Sequence, residues 1–163
     1  MKNLLLILFT FISLNSISQL KIDSLTNRIY FEKVIEVENQ TKIELYNNSL
    51  IWFAQTFKNS NEVITAKLEG SIISGNYLEK YKIASSPVSF IHLIELKFKD
   101  NKVKIKIYDI NSDLGYRLRS YLLKKNNSKR KMYEKTYNEI EQSIGDLINS
   151  LNQSLNKSEE EEW

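Results

Sequence analysis

Apolar and polar residues alternate from Arg28 to Val37 (RIYFEKVIEV), a stretch rich in β-branched and aromatic side chains that predicts a strand. Ile29, Phe31, Ile35 and Val37 share one face; Lys33 interrupts it, so a bulge or frayed edge is expected there. After a turn at Glu38 to Gln40 the period lengthens to three and four residues. Ile43, Tyr46, Leu50, Phe53, Ala54 and Phe57 then form one stripe of a helix running to about Lys58. Thr41 and Glu44 have capping-box spacing, in which each side chain accepts a hydrogen bond from the other residue's backbone N–H. Leu45 and Trp52 fall roughly opposite the stripe at ~100° per residue. Either a second helix covers them or they form an outward patch.

From Glu62 the pattern is extended. Val63 to Leu68 and Ile72 to Ile83 read as strands, with Glu69-Gly70-Ser71 as the turn and Gly75-Asn76 as an irregular point. Ser85-Ser86-Pro87 marks a break. Val88 to Lys99 and Lys102 to Ile110 form a hairpin about Asp100-Asn101. Its register pairs Phe98 with Val103, Leu96 with Ile105 and Ile94 with Ile107 on a buried side. Glu95, Lys97, Lys99, Lys102, Lys104 and Lys106 fall on the other side, which suits water. Asn111 to Ser128 carries only weak helical character, in Tyr116 to Lys125. A long helix follows, from about Lys131 to Asn156, with Tyr133, Tyr137, Ile140, Ile144, Leu147, Ile148, Leu151 and Leu155 in helical repeat. Thr136 with Glu139 offers an alternative start, and Gly145 is tolerable inside the helix if it allows close packing. Amphipathic helices must bury their stripes, so the expected fold class is α+β. An antiparallel sheet in the order β-α-β(4)-α would carry both helices on one face.

Composition adds exclusions. The 163 residues include one His and no Cys, which removes disulfides, thiolate metal sites and Cys nucleophiles. Residues 1 to 18, MKNLLLILFTFISLNSIS, place a lysine before an apolar run, with Ser16 and Ser18 as small residues preceding Gln19. That is the order of a secretory signal peptide, and the run falls short of the ~20 residues that a membrane span needs. The expected organisation is a signal peptide at 1–18, a lead-in at 19–27, one α+β domain at 28–156 and an acidic mobile tail at 157–163. The mature chain is expected to be exported, to the periplasm or beyond, with no transmembrane segment after signal cleavage. Net charge is +3, and without Lys2 and the glutamates Glu159 to Glu162 the body carries +6. Export weakens any nucleic-acid reading of that charge.

Several segments carry a resemblance. They are YFEKVIEV at Tyr30 to Val37, TKIELY at Thr41 to Tyr46, WFAQTFK at Trp52 to Lys58, and Val63-Ile64. Together they resemble an exported Bacteroidota family of domains of unknown function with a TATA-binding-protein-like fold, over about residues 28 to 110 and loosely the last helix. The turn Lys99-Asp100-Asn101-Lys102 departs from it, since the family tends to have Gly after the Asp. Tyr116 to Lys131 matches no family pattern. The resemblance implies fold and export. It implies no catalytic residue, and function resides in sites rather than folds.

His92 and Asp109 face each other in the hairpin register and make a candidate pH-sensitive pair, in which Asp109 would raise the His92 pKa. The plainer reading is a hydrogen-bonded pair at the end of the sheet, because no third catalytic group stands nearby. Arg117, Arg119, Lys124, Lys125, Lys129, Arg130 and Lys131, interleaved with Tyr121, Leu122 and Leu123, form a basic stretch suited to an acidic partner. A solvated loop is its plainer reading. Glu32 and Glu36 read as solubilising, the terminal glutamates lack calcium-loop spacing, and there is no P-loop or Rossmann fingerprint. No cofactor or metal is expected. The function expected is a non-enzymatic cell-envelope interaction module whose partner is a protein or an anionic envelope component, and not a nucleic acid. The runner-up is a small apolar-ligand carrier with a pocket between sheet and helices, lined by Trp52, Phe53, Phe90 and Tyr137.

Overall fold

The computed structural model describes residues 21–25, 28–83, 86–111 and 130–156. The expected leader, the basic residues from Arg117 to Lys129 and the acidic tail lie outside the described residues. Among the described residues, six strands form one antiparallel sheet: β1 (Lys21–Ile22), β2 (Ile29–Glu36), β3 (Ile64–Leu68), β4 (Ile72–Ile83), β5 (Ser86–Lys99) and β6 (Lys102–Asn111). The helices are α1 (Lys42–Thr56), a single turn α2 (Ser60–Val63) and α3 (Arg130–Leu155). Sheet order is β1-β2-β6-β5-β4-β3. Two elements exceed the sequence reading. Within the expected lead-in, Lys21 and Ile22 pair with Tyr30 and Ile29, and Ser60 to Val63 closes a helical turn before β3 begins.

Register follows from alternation. β5 and β6 pair Phe98 with Val103, Leu96 with Ile105, Ile94 with Ile107 and His92 with Asp109, as the hairpin pattern predicts. β2 joins β6 without interruption from Tyr30 to Glu36, so the bulge expected at Lys33 does not form. Lys33 stays in register and half-buried, because a lysine can bury its methylene stem and keep its ammonium in water. The irregularity near Gly75 lies across the ladder: Ile64 pairs with Gly75 and Ala66 with Ser74, leaving Thr65 as the extra residue. A Cβ on Gly75 would stand 2.8 Å from the Val63 carbonyl oxygen, so the close approach of that backbone requires glycine. Ser86 and Pro87 extend β5, and the sequence break there is the β4–β5 connection itself.

Both long helices pack on one face of the sheet. That face carries Ile29, Phe31, Ile35, Ile73, Ile94, Leu96, Phe98, Val103, Ile105 and Ile107, all buried. Thr41 caps α1, its side chain accepting from the Glu44 N–H while the Glu44 carboxylate accepts from the Thr41 N–H at 2.7 Å. The buried residues of α1 are Leu45, Tyr46, Ser49, Trp52 and Phe53; Ile43 and Ala54 are exposed. The buried stripe is thus turned by about one residue step, ~100°, from the expected one. The cause is tertiary: α1 lies in the angle between sheet and α3, and both of its flanks are covered. Tyr46 packs edge-on against Phe98 with centroids 5.6 Å apart. The Trp52 indole N–H donates to Ser150 Oγ of α3 at 3.0 Å, so a second helix covers Trp52 and leaves no outward patch there.

α3 buries Ile140, Ile144, Ile148, Leu151 and Leu155. Thr136 does not cap it. Residue 136 lies inside the helix, and its hydroxyl donates to the Lys82 carbonyl at 3.1 Å. Gly145 does not serve close packing either, since a Cβ there would meet nothing within 4 Å. No helix among the described residues is long and apolar enough to cross a membrane.

Candidate functional site

Two places bring polar chemistry together, one beneath α3 and one on the opposite face of the sheet. Beneath α3, strand alternation turns Tyr77, Glu79 and Tyr81 of β4 towards the helices, with His92 beside them on β5. His92 is 2% exposed and stacks on the Tyr77 ring at a centroid distance of 5.0 Å. The Glu79 carboxylate accepts hydrogen bonds from the Tyr81 hydroxyl and from Ser143 Oγ of α3. His92 Nε2 stands 3.8 Å from Glu79 Oε2, beyond hydrogen-bond reach, and has no partner among the described residues.

His92 and Asp109 are cross-strand partners as expected; the Asp109 side chain lies outside the described residues, and the Glu79 carboxylate stands beside the imidazole. The expected upward shift of the His92 pKa is reversed. Burial pushes it below its ordinary 6.5, and the opposing pull of Glu79 is the smaller effect. His92 is therefore neutral at neutral pH. Burial likewise raises the Tyr77 and Tyr81 hydroxyls, keeping both protonated. The Ser143 hydroxyl is committed to Glu79, and His92 Nε2 is not bonded to it. The group ties β4 to α3. Glu79 and Ser143 lie 64 residues apart and were missed in the sequence; the legible sign was a carboxylate between two tyrosines on the core-facing register of β4.

The expected basic contact is only partly placed. Arg130 and Lys131 open α3, while Arg117, Arg119, Lys124, Lys125 and Lys129 fall outside the described residues. A basic surface does exist on the face opposite the helices, where no described element covers the sheet. Three rows cross it. One runs Glu36, Lys102, Lys99; the next Val34, Lys104, Lys97, Ile72, Leu68; the third Glu32, Lys106, Glu95, Ser74. Lys104 pairs with Glu32 at 2.9 Å and Lys97 with Glu95 at 2.8 Å. Among the described residues, Lys99 and Lys102 form no ion pair. Two cross-strand pairs therefore set like charges directly opposite, Lys99 with Lys102 and Lys97 with Lys104, an arrangement that destabilises a sheet.

Below these rows Tyr30 and Tyr108 stand side by side, with Lys106 Nζ 4.3 and 4.5 Å from their ring centroids. Apolar side chains share this face with the lysines: Val34 is 49% exposed, Leu68 62%, Leu78 57% and Ile91 37%. An open groove of about 360 Å³ lies at the turn end of the sheet, lined by Glu36, Glu38, Asn39, Asp100, Asn101 and Lys102. It is charged and adjoins the start of α1, whose Lys42 N–H donates to Asp100 Oδ1 at 2.9 Å. Of the side chains expected to line a carrier pocket, Trp52, Phe53 and Phe90 are each at most 1% exposed and packed into the core, and Tyr137 is half-buried against it.

Residues 31–112 match the family model described as a domain of unknown function (DUF4468) with TBP-like fold. The chain belongs to the DUF4468 family. Two solved structures share the fold of this DUF4468 domain. One is a DUF4468 family protein from Bacteroides ovatus, with 10% identity over 86% of this chain and 94% of that one, at a TM-score of 0.60. The other is a TBP-like protein from Parabacteroides distasonis, with 12% identity over 76% of this chain and 92% of that one, at a TM-score of 0.51. At such identities the likeness establishes the fold alone. No curated protein matches this DUF4468 chain at a significant level.

Proposed function

We propose that this DUF4468 domain is a non-enzymatic interaction module of the cell envelope, exported by its N-terminal segment, and that it engages its partner through the sheet face opposite the helices. One observation carries the reading. The same face combines paired like-charged lysines with four exposed large apolar side chains, Val34, Leu68, Leu78 and Ile91. Water alone rewards neither feature, whereas a partner surface relieves both. The polar group beneath α3 supports the non-enzymatic reading, because the Tyr81 and Ser143 hydroxyls both donate to the Glu79 carboxylate, the second across the helix–sheet junction. The tight burial of Trp52, Phe53 and Phe90 favours an interaction module over an apolar-ligand carrier.

The test uses the full chain, tagged and expressed in its own host. Wild type is expected in the envelope fraction and to retain envelope material on affinity capture. Val34→Asp/Leu78→Asp, on exposed positions of the proposed face, is expected to lose that material while melting as wild type does. Cytoplasmic residence of the wild type, or undiminished capture by the variant, overturns the reading.

A further inference from the structure

The lysine block points to a partner class. Resting on the reading of the sheet face as the interaction surface, we propose that this face docks an acidic segment of another protein, with carboxylates on the Lys97, Lys99, Lys102 and Lys104 block and apolar side chains against its flanks. The four lysines form a grid. Neighbouring strands lie ~4.8 Å apart and alternate residues of a strand ~6.7 Å apart, so their stems rise from an area about the size of one extended dipeptide. Lys97 and Lys104 are each matched by one glutamate, while Lys99 and Lys102 face each other without an ion pair among the described residues. Among the described residues no ion pair answers that juxtaposition. An incoming carboxylate turns its repulsion into charge-assisted hydrogen bonds.

The surroundings decide among anionic partners. A carboxylated glycan would use the lysines and the Tyr30 and Tyr108 rings, but would leave Val34, Leu68, Leu78 and Ile91 without a counterpart. An anionic bilayer would need apolar side chains on a protruding loop or helix that can sink into the headgroup layer. Here they lie in the plane of a sheet, Val34 and Leu68 on either side of the lysines and Leu78 and Ile91 ~20 Å further along the strands. A polypeptide supplies acidic and apolar side chains in one ligand. The face from β2 to β3 and from the Lys99 row to the Ile91 row spans ~20 by ~27 Å, ~540 Å² before side-chain relief. That is less than the ~800 Å² per partner of a standard stable interface, and suits a single docked segment rather than a globular face.

The experiment measures binding of the full chain to three probes: a synthetic peptide of alternating Glu and Leu, polygalacturonate, and vesicles of phosphatidylcholine with phosphatidylglycerol. The peptide is expected to bind most tightly and to weaken as salt rises. Lys99→Glu/Lys102→Glu is expected to lower peptide affinity at least tenfold, while Lys58→Glu/Lys135→Glu, on helix-side surfaces, leaves it within twofold. Tighter binding of polygalacturonate or vesicles than of the peptide overturns the assignment to protein, as does unchanged peptide affinity in Lys99→Glu/Lys102→Glu. If envelope capture is lost in Val34→Asp/Leu78→Asp yet the glycan or vesicle binds best, the interaction surface stands and only the partner class fails. If capture survives that variant, the surface itself fails.

Discussion

His92 stacks on Tyr77, its Nε2 near Glu79 but not bonded to it, and this sets a pH dependence whose sign can be worked out. Its folded pKa lies below the 6.5 of a solvated imidazole because burial disfavours the cation. Between those two values the unfolded chain binds a proton that the folded chain refuses, so stability rises with pH in that window. The contribution is fully present above pH 6.5 and is lost as pH falls towards the folded pKa, by ~1.4 kcal/mol per unit of depression. In His92→Phe, which keeps a flat ring in the stack, that share of the pH dependence should vanish. Urea midpoints of both chains from about pH 8 to about pH 5 check it, and parallel curves would refute it. The glycines give a paired prediction. Gly145→Ala meets open space in mid-helix and should stabilise by ~1 kcal/mol. Gly75→Ala drives a methyl to 2.8 Å from the Val63 carbonyl and should destabilise by ~1–3 kcal/mol, read from the same urea curves.

At the scale of elements, what was legible in the sequence was what neighbours in sequence determine. The Thr41/Glu44 cap and the Asp100-Asn101 hairpin are each closed by residues a few positions apart, and both stand as read. Thr41→Ala, which removes the side-chain acceptor of the Glu44 N–H, should cost about 1 kcal/mol in thermal or urea unfolding. The buried side of α1 was not legible, because it depends on α3 arriving ~100 residues later to cover Trp52. Periodicity reports that a helix has an apolar side; it does not report a second wall. Gly75 was correctly marked as irregular, but the extra residue is Thr65 on the facing strand, and a one-chain pattern cannot say which side of a ladder carries the bulge. The Glu79–Tyr81–Ser143 link was hidden for the same reason: its hydrogen bonds join β4 to α3 across the core.

At the scale of the whole molecule, the fold separates two surfaces with opposite demands. The helix-covered face holds the stability, with Trp52, Phe53, Phe90 and the branched residues beneath them worth ~1.5–3 kcal/mol each on burial. The opposite face holds the lysine rows, legible in the hairpin as a polar side but not as a grid, since only the register of β2 and β4 supplies its flanks. If those rows are kept for a partner rather than for folding, the free chain should tolerate their correction. Lys99→Glu sets a carboxylate opposite Lys102 and should stabilise by ~0.5 kcal/mol, a rise of ~1–2 °C in Tm for a chain of this size. The gain should be largest at low ionic strength and fade near 1 M salt, where charges are screened beyond ~3 Å. The same substitution should weaken binding of the acidic peptide, so stability and affinity move in opposite directions. Calorimetry at low and high salt, alongside the binding titration, decides it. A variant that melts lower than wild type at low salt would mean that Lys99 supports the fold, and the lysine grid would lose its claim to be a binding surface.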